Sequence, residues 1–109
     1  MIYKDSKNLE PGRKIWACAY EFNNNKTTMS LIQKPVYGEI YHDGWLKHFV
    51  PYKKNGELAM SKMVRSRSRV YADTYQECVE LYNSLVRERV DWFMQRAEET
   101  ADDYIPIDE

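Results

Sequence analysis

At Asp73-Thr74 the spacing of apolar residues changes from every second position to every third or fourth. Before that junction the pattern suits strands, and after it a helix. Thr74-Tyr75-Gln76-Glu77 has the form of a capping box, in which the threonine oxygen meets the Glu77 amide and the Glu77 side chain reaches back. Beyond it Val79, Tyr82, Val86, Val90, Phe93 and Ala97 are spaced 3, 4, 4, 3 and 4 apart. Cys78, Leu81, Leu85 and Trp92 widen this stripe. The spacing predicts one amphipathic helix from about residue 75 to about residue 100. Pro106 ends any helix, and residues 101–109 read as an acidic tail.

Upstream, Pro11-Gly12 breaks the chain ahead of a first strand at Lys14 to Phe22. Trp16, Cys18, Tyr20 and Phe22 share one face of that strand, and Ile15, Ala17 and Ala19 the other. Asn23 to Lys26 turns the chain, and Thr28 to Gln33 reads as a second short strand. Val36 to Tyr41 is a third, with Gly38 marking a close approach or a sharp curl. Asp43-Gly44 makes a hairpin turn into Trp45 to Tyr52. Asn55-Gly56 suits a type I′ turn, whose central residues need positive φ. Glu57 to Tyr71 then reads as one long, bent strand. Together residues 13–72 predict a curled antiparallel meander of four or five strands, in the form of an SH3-like barrel. The expected class is α+β, one domain of 109 residues closed by a long C-terminal helix. Such a helix is about 39 Å long, while the strands reach only about 17–26 Å. It should therefore overhang the sheet, leaving Trp92, Phe93 and Ala97 as a surface for a homodimer or a partner, unless the N-terminal residues or the tail cover it.

Charge is unevenly placed. Residues 1–44 carry six basic and five acidic side chains, residues 45–72 seven and one, and residues 73–109 three and eleven. The parts are +1, +6 and −8, summing to −1. The chain is an electric dipole if the two charged regions stay apart, and locally neutral if they fold together. The cations of the middle region include Lys53, Lys54, Lys62, Arg65, Arg67 and Arg69. In a continuous strand Arg65, Arg67, Arg69 and Tyr71 lie on one face, with Val64, Ser66, Ser68, Val70 and Ala72 on the narrow face under the helix. Lys53, Lys54, Lys62, Arg65, Arg67, Arg69 and Tyr71 are thus the candidate surface for a phosphate backbone or a protein partner. Tyr37, Tyr41, Trp45 and Tyr52 are further rings on which bases stack in sheet-based nucleic-acid binders.

Signs of catalysis are weak. The four glycines are scattered, so no phosphate-binding loop exists. Glu98-Glu99 and Asp102-Asp103 lie where nothing raises a carboxyl pKa. His42, Asp43 and His48 form a metal site only if a hairpin brings them together. Cys18 and Cys78 sit in apolar segments and read as buried free thiols. The expectation is a non-enzymatic binding protein without cofactor or metal. No apolar leader precedes Tyr3 and no apolar run reaches about 18 residues, which predicts a cytoplasmic protein with no membrane partner.

The stretches "KPVYGEIYHDG" and "RVYADTYQECVELYNSLV" resemble small phage- and prophage-encoded accessory proteins of Gram-positive bacteria. In those proteins a short curled sheet leads through an aromatic-x-Asp-Thr junction into one terminal helix. The shared residues are cap and core residues. The resemblance implies a setting, the cytoplasm of a bacterial host, in which such proteins block host defences, anti-CRISPR proteins among them. The expected partner is then a host nuclease or defence complex, with direct nucleic-acid binding through residues 62–71 as the alternative.

Overall fold

A computed structural model describes residues 1–19 and 32–105. The expected turn at Asn23 to Lys26 and most of the expected strand at Thr28 to Gln33 lie outside these residues. The described elements are β1 (Ile2–Tyr3), β2 (Lys14–Ala19), β3 (Val36–Asp43), β4 (Leu46–Pro51), β5 (Val64–Arg65), β6 (Arg69–Ala72) and α1 (Tyr75–Ala101). Single 3-10 turns cover Met60–Lys62 and Ser66–Ser68. The class is α+β, as the change of periodicity requires.

The six strands form one antiparallel sheet in the order β1-β6-β2-β3-β4-β5. It does not close into a barrel. Its edge strands, β1 and β5, have two residues each and do not pair with one another. The expected strand from Glu57 to Tyr71 is not continuous either. The 3-10 turn at Ser66–Ser68 carries the chain from β5, at one edge, to β6, between β1 and β2.

The sheet curls enough for Phe49 of β4 to meet Tyr71 of β6, ring centroids 5.9 Å apart. Around them Leu9, Ile15, Ala17 and Ile40 fill the concave interior. Gly38 makes the curl: a Cβ there would stand 2.3 Å from the Val50 carbonyl oxygen and 2.5 Å from the Phe49 ring. A second core lies between sheet and helix, where Cys18, Val70, Ala72 and Cys78 pack with Trp16, Leu81, Tyr82 and Leu85. β2 and β6 are therefore covered on both faces, with Ala17 and Tyr71 turned inward and Cys18 and Val70 under the helix. This is why Ile15 and Ala17, on the face opposite Trp16 and Cys18, are buried too.

Thr74 caps the helix as expected, accepting the Glu77 amide, while the Glu77 carboxylate takes the Thr74 hydroxyl. The helix meets the sheet through Cys78, Leu81, Tyr82 and Leu85, spaced i, i+3, i+4 and i+7. The stripe is thus rotated from the expected one, and Val90 is half exposed. At about 40 Å the helix outruns the sheet. On its exposed side Arg96 reaches Glu99 at 3.1 Å.

Both hairpin turns differ in detail from expectation. Gly44 and Trp45 make a two-residue loop closed by Asp43 and Leu46, and only Gly44 has positive φ, the pattern of a type II′ turn. Trp45 is consequently in the turn and almost wholly exposed, not in a strand. At Asn55-Gly56 only the glycine has positive φ, and its amide bonds the Lys53 carbonyl at 3.0 Å. A type I turn followed by a left-handed glycine fits this better than type I′.

Candidate functional site

The cations of residues 53–69 occupy the surface around β5. Lys53 leaves the end of β4 at the glycine turn, Lys62 ends the first 3-10 turn, and Arg69 begins β6. These three come together at one cleft of about 610 Å³. Ala17, Val36, Phe49 and Val64 form its apolar floor, continuous with the concave core, and Gln33 adds a polar residue. The cleft opens where the curled sheet fails to close. Arg65 and Arg67 line a separate, more open depression with Val64 and Ser68. Lys54 is exposed in the turn and lines neither.

Tyr71 does not belong to this surface. It shares a face with Arg69, as period-two geometry requires, but that face is the inside of the curl and Tyr71 is fully buried. The single face expected for Arg65, Arg67, Arg69 and Tyr71 is broken at Ser66–Ser68, where Ser66 turns inward and its hydroxyl meets that of Ser6 at 2.7 Å.

Arg69 is half-buried. Its guanidinium donates to the Ser68 carbonyl at 3.0 Å and lies 3.3 Å from the Ser68 hydroxyl. Burial pulls its pKa down, with Tyr71 and Cys18 opposing; an arginine nevertheless stays charged at neutral pH. Among the described residues none of Lys53, Lys54, Lys62, Arg65, Arg67 and Arg69 forms an ion pair. The cap carboxylates are engaged elsewhere. Asp73 receives Arg13 at 2.6 Å and Tyr3 at 3.1 Å, and Glu77 receives the Met1 amino group. The basic middle and the acidic helix therefore do not cancel through contact, and the molecule extends 67 Å along its longest axis. The charge division in the sequence persists in space.

A row of rings crosses the outer face of the sheet. Tyr75 meets Trp16 at 4.9 Å, Trp16 meets Tyr37 at 5.2 Å, and Tyr37 meets Tyr52 at 5.5 Å. Tyr52 donates to Glu39 at 2.9 Å, and its phenol is pushed up to about 12, first by burial and then by that carboxylate. On the helix, Trp92 and Phe93 are half-buried and pack edge to face at 4.9 Å, while Ala97 is exposed.

The β3–β4 register separates the histidines. His48 faces Tyr41 and His42 faces Lys47, so the two imidazoles lie on opposite sides of the hairpin. Cys18 and Cys78 are free, fully buried thiols in one cluster. No helix among the described residues is long and apolar enough to cross a membrane.

Sequence reasoning missed Leu9, Phe49 as the floor of the cleft, and the Ser6–Ser66 contact. "KDSKNLE" has no periodicity to betray a buried leucine. In comparisons with family models, curated proteins and solved structures, nothing matches this chain.

Proposed function

We propose that the chain is a non-enzymatic binding protein of the phage-accessory kind, acting on the protein component of a host nucleic-acid-targeting complex in an anti-CRISPR-like manner. One observation supports this reading above the others: the cations of residues 53–69 are not consumed by the protein's own acidic helix. Complexes that target nucleic acid hold a polyanion in a cationic channel. A protein with a projecting acidic helix and a separate basic surface complements both the channel and its anionic surroundings. Charge of this kind speeds encounter and sets orientation more than it adds affinity.

The test is a target-binding assay with a purified RNA-guided complex from the bacterial host. Added protein should slow target binding, and reversing Glu88, Asp91, Glu98 and Glu99 to lysine should abolish the effect. Unchanged target binding at a large molar excess of protein would overturn the reading.

A second reading is direct nucleic-acid binding, favoured by the convergence of Lys53, Lys62 and Arg69 at one cleft. Affinity for a labelled oligonucleotide should then fall steeply with salt, because each neutralised phosphate releases counterions. No complex with DNA or RNA at low salt would end this alternative.

A further inference from the structure

We infer that the cleft between β6 and the β4–β5 connection is a small-ligand site for a nucleoside monophosphate. This goes beyond the macromolecular readings above, since it concerns what one cleft holds. The volume, about 610 Å³, lies in the range of small-molecule sites, roughly 300–1,000 Å³. Among the described residues its lining contains three cations and no carboxylate. Lys53 and Lys62 come from one wall, and Arg69 comes from β6 on the other. A phosphate monoester carries about −1.5 to −2 charges at neutral pH, which three cations offset.

Arg69 is the central group. Its guanidinium is partly withdrawn from water, anchored by Ser68, and free of any acidic partner among the described residues. A guanidinium so placed has donors left for a bidentate grip on phosphate. The rest of the cleft suits a flat ring. Val36, Val64 and Phe49 give an apolar floor, and Gln33 supplies an amide for the edge of a base. Without a glycine-rich loop, side chains rather than backbone amides must hold the phosphate, so binding should be salt-sensitive.

The experiment is a nuclear magnetic resonance titration of the isotopically labelled full chain with adenosine monophosphate, adenosine and inorganic phosphate. Adenosine monophosphate should shift the resonances of Gln33, Lys53, Lys62, Val64 and Arg69 saturably, with a Kd between about 10 μM and 1 mM. Adenosine and inorganic phosphate should each bind at least about tenfold more weakly, because each supplies only part of the contact. Arg69→Ala should raise the Kd about tenfold or more, and Arg69→Lys should recover only part of the loss. Lys54→Ala, outside the cleft, should leave the Kd within about twofold. The spectrum of each variant reports whether it remains folded. The inference is overturned by non-saturating shifts spread over all lysines, by no shift at about 10 mM ligand, or by phosphate binding as tightly as the nucleotide. Oligonucleotide binding that persists after such a failure leaves the second functional reading standing.

Discussion

The Tyr71 hydroxyl donates a hydrogen bond to the carbonyl oxygen of Ser66, five residues back along the chain. The bond fixes the turn that divides β5 from β6. Ser66 is thereby drawn inward, and Arg65 and Arg67 are left on the outer surface apart from Arg69. Burial holds the Tyr71 phenol well above the ordinary tyrosine range, so it remains a donor at all working pH values. Replacing Tyr71 with Phe leaves the Ser66 carbonyl without this donor. The expected loss is about 1–3 kcal/mol, read from urea unfolding. A loss below about 0.5 kcal/mol, the scale of a neutral surface change, would show that the turn stands without the bond.

Gly38 cannot accept a methyl group without displacing backbone, because the nearest obstacle is the Val50 carbonyl oxygen. Gly38→Ala should cost about 1–3 kcal/mol or more. Its chemical-shift changes should centre on Phe49 and Val50. Wild-type stability in this variant would mean the curl is looser than the 2.3 Å approach implies.

The start of the helix should make stability fall in acid. Burial works to raise the Asp73 pKa, but hydrogen bonds from Tyr3 and Arg13 outweigh it and hold the carboxyl below its ordinary value of 3.8. Glu77 is held below 4.5, chiefly by the Met1 amino group and then by Thr74. Folded-state values below the unfolded ones give stability that is present above the ordinary carboxylate range. It is lost as pH falls through the folded values. Urea midpoints measured from pH 7 down to pH 3 should decline most below the ordinary values, and the decline should flatten in the Asp73→Asn, Glu77→Gln variant. Thr74→Ala should cost about 1 kcal/mol at neutral pH through loss of the cap.

Cys18 and Cys78 bring a strand and the first turn of the helix together in one apolar cluster. The hydrogen bond between them, together with burial, pushes the Cys18 thiol up while the same bond pulls the Cys78 thiol down, so it is complete burial that shields both from reagent. Neither thiol should react with a disulfide reagent in the native protein, and both should react once it is unfolded in guanidinium. Rapid labelling of the folded protein would show that the helix start opens readily.

Legibility from sequence followed the range of the interaction. Thr74 caps its own helix with atoms three residues away, and the sequence shows both partners. Gly38 announced a close approach, although not that Val50 and Phe49 would make it. The helix ends were readable, but the phase of its buried stripe was not. Val79, Val86 and Val90 are as apolar as Leu81 and Leu85, and only the position of Val70 and Ala72 on the sheet selects between them. β1 has two residues and no pattern, and exists because β6 offers it an edge.

The candidate surface shows the same division. Composition and order along the chain by themselves determined that residues 45–72 are cationic and residues 73–109 acidic, and that an antiparallel sheet precedes one capped helix. These are local properties, carried by charge, propensity and period. Only the tertiary structure decided that, among the described residues, the cations of residues 53–69 form no ion pair with the helix, that Tyr71 faces the core, and that Lys53, Lys62 and Arg69 share a cleft. The separation of Arg65 and Arg67 from Arg69 depends on the break at Ser66–Ser68. A strand's period of two survives only while the strand does, and one turn, fixed by a tyrosine packed on Phe49 across the sheet, reassigns every side chain around it.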